Sequence, residues 1–370
     1  MLRQYKLKNY RFQLVALVSL LTILGIFVIG SARESAQSKQ IVGMILGLIV
    51  MVVISLMDYQ FLLKFTWIYY AVGNILLLLV KFVGKSSKGA QRWFKLGPVQ
   101  IQPSELAKII IILFFAAYFA KYEDKINEPK RLGITMALVA LPLVLIVSQP
   151  DLSTTIVTAF VFISLLFIAG LSYKIITGTL AVVLPAALVV IILVATNVID
   201  VLHGYQMKRI SAWLYPDEPQ NIDLARQQVN SIMAIGSGRL FGKGLNNTDT
   251  ASLNNSNYIS ESHTDFIFSV VGEELGFVGA VVVVILIAGI VYECLKIGRR
   301  ANDLSGKLIC CGVASLIGFQ SFVNICVTTG LMPNTGLPLP FVSYGLTSLL
   351  SLYIGIGFVL NVGLQCKKYY

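Results

Sequence analysis

Long apolar runs separated by short polar stretches organise this chain. About 20 apolar residues are needed to cross roughly 30 Å of hydrocarbon. By that measure the runs at residues 14–29, 41–57, 66–83, 104–120, 132–147, 153–170, 175–198, 266–295, 308–327 and 343–364 predict about ten transmembrane helices. One long polar interval, residues 200–264, separates the seventh run from the eighth. A connection of about 65 residues is far longer than an ordinary helix–helix link, and loops of that size are functional or disordered. Within it Ile222, Ala225, Val229, Ile232 and Met233 recur at helical spacing between polar residues, which predicts an amphipathic helix lying on the membrane surface. The expected fold is therefore all-α, one polytopic membrane domain over residues 1–370 with a long outer loop at about 200–264.

Composition agrees with that pattern. The chain is 56% hydrophobic and only 13% charged, against about a quarter charged in soluble domains. Arg3, Lys6, Lys8 and Arg11 precede the first run, which is long, lacks a small-x-small cleavage site and is followed by further spans; it reads as a retained helix rather than a signal peptide. Cys294, Cys310, Cys311, Cys326 and Cys366 lie in or beside apolar segments without metal-like spacing and read as small buried hydrophobes.

Charge sets the expected orientation. An even number of spans puts both termini on one side, and the basic amino terminus together with Lys367 and Lys368 makes that side cytoplasmic. Two outer segments break the positive-inside rule. One holds Lys85, Lys88, Arg92 and Lys95; the other, in the long loop, holds Lys208, Arg209, Arg226, Arg239 and Lys243. Cations retained outside suggest an anionic ligand with phosphate groups, the bland alternative being contact with lipid head groups. Without a soluble basic domain, the net charge of +11 does not point to nucleic acid.

Ionisable residues at helix mouths supply the candidate chemistry. The stretch ISESHTDFIFSVVGEELG, residues 259–276, carries Glu261, His263 and Asp265 into an apolar segment. Partial desolvation there suits a general base, although an Asp at that position also makes a good helix N-cap. In KGAQRWFKLGPVQIQPSELAK, residues 88–108, a loop with Trp93 leads into a Pro-started helix that places Glu105 and Lys108 at i, i+3 on one face. Charges inside a span cost roughly 2.5–3.5 kcal/mol each on insertion scales and usually face a cavity. Asp151 in QPDLSTT is either a cap or a partner for Lys108. Gly236, Gly238, Gly242 and Gly244 surround Arg239 and Lys243 in a basic turn able to turn backbone N–H groups toward an anion, without the spacing of a nucleotide-binding loop. Glu273 and Glu274 are either paired or cavity-facing. The segment GLMPNTGLPLPFVSYG holds too many Pro and Gly residues for helix and predicts a re-entrant or broken piece covered by protein.

GAQRW with QPSELAK, QPDLSTT, AIGSG with GKG, HTDFIFSVVGEELGF and PNTGLPLPFVSYG, in this order along essentially the whole chain, resemble the shape, elongation, division and sporulation (SEDS) family of bacterial peptidoglycan glycosyltransferases. GAQRW and QPDLS are more similar to its RodA-like elongation branch than to its FtsW-like division branch. The resemblance implies a polymerase of lipid II at the outer face of the cytoplasmic membrane, working with a class B penicillin-binding protein. By position it implies Asp265 as the catalytic acid–base residue. Arg92, Trp93, Glu105, Lys108 and Asp151 match its cavity and loop motifs, and Arg209, Arg239 and His263 complete the candidate substrate-binding set. A divalent cation, Mg or Mn, is compatible with the diphosphate leaving group, with no metal ligand identifiable in the chain. One departure stands out: Leu346 takes the place of a usual second Gly after SYG. Alternatives of other classes are a lipid II flippase, which needs a path from both faces, and a non-catalytic scaffold for the penicillin-binding protein.

Overall fold

In hydrocarbon every backbone polar group must be satisfied within the chain, and helices do this segment by segment. The computed structural model describes residues 10–87, 90–96, 99–149, 151–175, 177–178, 181, 185, 189, 204–246 and 262–365. In chain order the elements are α1 Phe12–Ala32, α2 Glu34–Leu56, the short α3 Tyr59–Leu63, α4 Thr66–Val83, strands β1 Lys85–Ser87, β2 Ala90–Leu96 and β3 Val99–Ile101, α5 Pro103–Lys121, α6 Pro129–Val147, α7 Leu152–Ile168, α8 Gly204–Leu214, α9 Ile222–Ser237, α10 Ile267–Gly298, α11 Leu304–Thr328 and α12 Leu346–Leu364. Among the described residues eight helices (α1, α2, α4, α5, α6, α10, α11, α12) are long and apolar enough to cross a membrane, and the shorter apolar α7 accompanies them. Nine of the ten expected runs thus appear as helices. The seventh, 175–198, lies largely outside the described residues, as do Glu261 and Cys366.

Burial sorts the helices into a centre and a rim. The spanning windows of α5, α11 and α12 are 78%, 72% and 78% buried, those of α2, α4 and α6 only 28%, 28% and 22%, so the first three form the core and the others face lipid. Accordingly Ile45, Ile49, Val52 and Val53 of α2 are exposed, which is what a lipid-facing helix surface requires. Cys294, Cys310, Cys311 and Cys326 are free thiols and buried, as expected.

Three local features depart from the expectations. The stretch preceding α5, expected as a loop, contains an antiparallel three-stranded meander in the order β1-β2-β3, with Lys85 opposite Trp93 and Phe94 opposite Ile101. Aromatic residues at Trp93 and Phe94 suit a strand better than a helix. Helix α9 forms where its periodicity predicts, and the departure is that its polar side meets protein. It packs on α10 and α11 through buried Ala225, Gln228, Asn230, Ser231 and Ala234, while Ile222, Val229, Ile232 and Met233 are exposed. Its polar side meets main chain: the Gln228 amide donates to the Val327 and Met332 carbonyls at 2.8 and 2.7 Å, and Ser231 Oγ donates to the Thr328 carbonyl at 2.8 Å. The third departure is a break in α10 at Gly276, where φ is 67° and ψ −165°.

That break explains the glycine-rich turn. Its backbone was expected to face an anion; instead Lys243 and Gly244 donate their N–H groups to the Glu273 and Glu274 carbonyls at 3.0 and 2.9 Å, and Phe277 and Val278 donate theirs to the Arg239 and Leu240 carbonyls at 2.9 and 3.1 Å. The turn therefore repairs the interrupted helix ladder. Contact is so close that a Cβ on Gly242 would lie 2.1 Å from the Glu274 carbonyl oxygen, and one on Gly276 2.3 Å from the Gly242 nitrogen. Glu273 and Glu274 are paired, with Lys243 Nζ at 2.8 Å and Ser31 Oγ at 2.6 Å respectively.

At the end of the bundle where α5 finishes and α11 begins, polar groups form a latch. Tyr59 donates its hydroxyl to Asp303 Oδ1 at 2.6 Å, and Asp303 caps α11 by accepting from the Gly306 N–H at 2.9 Å. Burial, reinforced by the Asp303 contact, pushes the Tyr59 phenol above its ordinary value.

Candidate functional site

The opposite end of the bundle gathers the sequence-singled residues. Asp265 lies in a turn, Ser262–Phe266, that feeds into α10. It is half-buried, and the main chain around it is tied down residue by residue. The His263 carbonyl accepts from the Tyr344 N–H at 3.0 Å, the Thr264 carbonyl from Ser343 Oγ at 2.7 Å, and the Asp265 carbonyl from the Asn324 amide at 2.8 Å. Three successive carbonyls fixed to two other segments leave the Asp265 backbone little freedom. His263 is buried, accepts through Nε2 from Arg33 Nη1 at 3.3 Å, and packs at 5.8 Å, ring to ring, on Tyr344. Since an arginine only donates, this contact selects the His263 tautomer with its proton on Nδ1.

Arg209, on α8, approaches the same place. Its Nη1 donates to the Asn334 carbonyl at 2.9 Å, and Gly336 lies beside both it and the acid. A Cβ built on Gly336 would lie 3.4 Å from Asp265 Oδ2 and 3.6 Å from Arg209 Nη1. Carboxylate and guanidinium thus both come within about 4 Å of the place a side chain would take, at a glycine whose φ of 72° disfavours any side chain. The Pro-rich segment between α11 and α12 is irregular, as expected, and its Leu337, Leu339, Phe341 and Val342 are buried.

Deeper in the bundle, Lys108 and Glu105 pair on α5 at 2.8 Å with side chains 1% and 4% exposed. The i, i+3 expectation holds, but the suggested Lys108–Asp151 pair does not form: Lys108 Nζ also donates to Gln320 Oε1 at 2.8 Å. Asp151 instead caps α7 by accepting from the Thr154 N–H at 3.2 Å, accepts from the Gln102 amide at 3.3 Å, and stands 3.8 Å from Arg92 Nη1. Arg92 Nε also donates to the Gln149 carbonyl at 2.9 Å, so β2 is clamped onto the α6–α7 turn. Trp93, next along β2, is half-buried. Arg239 stays exposed on the turn that repairs α10, and among the described contacts none brings it to Asp265. Leu346, the departure from the family pattern, begins α12 and lies over α2 at Gly43.

Gln320, Asn324 and Arg33 are the residues that sequence reasoning missed. Uncharged amides within an apolar run were the available signal for the first two.

The site end also concentrates unsatisfied polar atoms. Ser104 Oγ, Glu105 Oε2, Gln149 Oε1, Ser321 Oγ, Asn324 Oδ1 and Thr335 Oγ1 are buried without a hydrogen-bond partner among the described residues, the usual mark of a place that takes water or ligand. A cavity of about 380 Å³ at the other end, lined by Lys64, Trp67, Tyr118 and Lys121 among others, is remote from the acid. Among the described residues no three His, Cys, Asp or Glu side chains cluster as a metal site.

Comparison with known proteins gives a consistent result. Residues 5–368 match the family model of cell cycle proteins that groups FtsW, RodA and SpoVE. A probable peptidoglycan glycosyltransferase FtsW of Geobacter metallireducens is 32% identical over 98% of this chain and 96% of its own length. The peptidoglycan glycosyltransferase MrdB of Escherichia coli is 35% identical over 90% of this chain and 87% of its own. Among solved structures, a chain from work on the structural coordination of polymerization and crosslinking by a peptidoglycan synthase complex superposes with a TM-score of 0.80 at 31% identity, covering 96% and 97% of the two chains. The rod shape determining protein RodA of Thermus thermophilus superposes with a TM-score of 0.70 at 29% identity over 97% and 98%.

Proposed function

From the premise that this chain belongs to the FtsW, RodA and SpoVE (SEDS) family and is a peptidoglycan glycosyltransferase with multiple membrane-spanning helices, we propose that it polymerises lipid II at the Asp265 end of the bundle, with Asp265 as general base. The observation that carries this is the gathering of the Asp265 carboxylate and the Arg209 guanidinium at Gly336, each within about 4 Å of where its Cβ would stand. In the proposed reaction the sugar hydroxyl of the acceptor gives its proton to the Asp265 carboxylate as its oxygen bonds the donor's anomeric carbon. The bond from that carbon to the diphosphate breaks, and undecaprenyl diphosphate leaves with the electron pair. A base of this kind contributes about 10²–10⁴-fold.

Arg209 is the cation best placed to stabilise the developing diphosphate charge. Lys108, paired with Glu105 and held by Gln320, places a second ammonium donor in the same half of the bundle. Arg92 and Asp151 hold the β-meander in place, Trp93 offers an aromatic surface beside them, and His263 braces the approach to Asp265. Arg239, exposed on its turn, remains a candidate for the outer part of the substrate's phosphates. Among the described residues no three His, Cys, Asp or Glu side chains cluster; Mg or Mn would enter bound to the substrate's diphosphate, since Mg²⁺ commonly binds through one or two carboxylates plus substrate phosphates. The charge pattern supports an orientation with this end outside a bacterial cytoplasmic membrane and both termini inside. The structural likeness to a synthase complex in which polymerization and crosslinking are coordinated supports a class B penicillin-binding protein as partner, and an elongation role fits the RodA resemblance.

The test uses purified protein, alone and with a candidate class B partner, and labelled lipid II. Asp265→Ala should abolish polymer while the folded fraction and partner binding persist. Polymer formed at the parental rate by the folded variant would overturn the assignment.

A further inference from the structure

Asn324 and Gln320 lie one turn apart on the buried face of α11, 1% and 0% exposed. Each carries a donor and an acceptor; Gln320 uses both across element boundaries, Asn324 its donor. The Asn324 amide donates to the Asp265 carbonyl at 2.8 Å and to the Leu337 carbonyl at 2.7 Å. The Gln320 amide donates to the Pro338 carbonyl at 2.9 Å, and its Oε1 accepts from Lys108 Nζ at 2.8 Å. Two consecutive carbonyls of the irregular segment, just after Gly336, are therefore gripped by two side chains of one rigid helix. Through the same two side chains that helix also holds Asp265 and Lys108.

We propose that Asn324 and Gln320 are positioning residues for glycosyl transfer, a carboxamide ruler that fixes Asp265, the irregular segment at Gly336 and Lys108 at constant spacing. The proposal rests on the reading of Asp265 as the base. Chemistry favours it over mere filling of a helix interior. A buried amide is expensive, and leucine would pack in an apolar core without that cost; at Asn324 the cost is borne although Oδ1 has no partner among the described residues, so its donors are what the position keeps. Pro338 has no N–H and Gly336 holds a positive φ, so this segment cannot build a helical ladder and its carbonyls need donors from outside. A purely structural account would stop at Leu337 and Pro338. It gives no reason for the remaining bonds to end on the acid-bearing residue and on the buried cation. Displacement of a reacting group by about 1 Å can cost around 100-fold in rate, so the grip on Asp265 has kinetic weight.

The experiment measures steady-state polymerisation of lipid II by the full-length protein with Asn324→Ala, Asn324→Asp, Gln320→Met and Gln320→Glu. Asp265→Ala serves as reference and Thr329→Ala, whose hydroxyl bonds only within α11, as helix control. Asn324→Ala and Asn324→Asp, which both lack the donors, should lower kcat per folded molecule roughly ten- to a hundredfold with KM within about twofold. Gln320→Met should do likewise, and Gln320→Glu, which keeps an acceptor for Lys108, should recover part of the loss. A kcat in Asn324→Ala equal to that of Thr329→Ala, beside an inactive Asp265→Ala, would overturn the positioning alone. Equal losses in Gln320→Met and Gln320→Glu would overturn the link to Lys108. Parental activity in Asp265→Ala would overturn the base assignment and this proposal with it.

Discussion

Lys108 meets Glu105 at 2.8 Å and Lys243 meets Glu273 at 2.8 Å, yet the two pairs serve different ends. The first is local, three residues apart on α5, and its lysine reaches across to α11. The second joins residues 30 apart and sits where a glycine turn closes the break in α10. Glu105 keeps one buried oxygen without a partner among the described residues, as expected where a substrate is to be met. Around Glu273 even the main-chain carbonyl accepts a bond, from Lys243 itself. Equal ion-pair geometry thus says little about role; what the neighbouring backbone and amides do separates a reactive pair from an architectural one.

The comparison breaks most sharply at Lys108. Lys108→Met leaves Glu105 buried and uncompensated, which costs about 3–5 kcal/mol. Polymerisation per folded molecule should also fall by at least about 100-fold, measured with lipid II in detergent alongside a melting curve. If the folded variant retains parental activity, the pair belongs with Lys243–Glu273 as architecture.

Gly276→Ala comes next. It places a Cβ within 2.3 Å of the Gly242 nitrogen at a φ of 67°. Such a strained position costs on the order of 1–3 kcal/mol before the clash is counted. Melting temperature and yield should drop, with the specific activity of surviving protein changed far less.

Lys243→Met tests the second pair directly. Because the lysine is partly exposed, the loss should be about 1–3 kcal/mol, below the figure for a fully buried pair. Activity per folded molecule should stay within about twofold, and a large kinetic defect would erase the distinction drawn here.

Tyr59→Phe at the far latch should have the smallest effect, about 1 kcal/mol for the hydrogen bond to Asp303, with no change in rate. Its pH dependence has a definite sign. The folded phenol is raised above its unfolded value near 10, so its contribution is complete below pH 10 and is lost as pH rises further. Thermal melting from pH 8 to 11 should show the parent losing stability more steeply than Tyr59→Phe.

Much of the site could be read from the chain because the relations were local. Glu105 and Lys108 share a helix face by spacing alone, Asp151 caps the helix it precedes, and Asp265 lies at the mouth of the span expected for it. The misreadings came from relations that spacing does not encode. Periodicity located α9, but which side met protein depended on lipid surrounding the bundle, where exposed Ile and Val carry no penalty and polar side chains seek the core. Glycines marked the basic turn, but its N–H groups went to the broken backbone of α10 rather than to an anion. Alternation of apolar and polar residues in the stretch before α5 was short enough to pass for loop.

The sequence by itself determined the membrane class, the order and approximate bounds of nine described helices, and the acids and cations placed at their mouths, because hydrophobic length and helical spacing act over a few turns. Only the tertiary structure decided which of them meet. Arg209 and Asp265 meet at Gly336, and Lys108 turns to Gln320 rather than Asp151. Asn324 binds the acid's own backbone, because an irregular proline segment packed among helices must borrow its hydrogen bonds from whichever side chains the fold brings within reach.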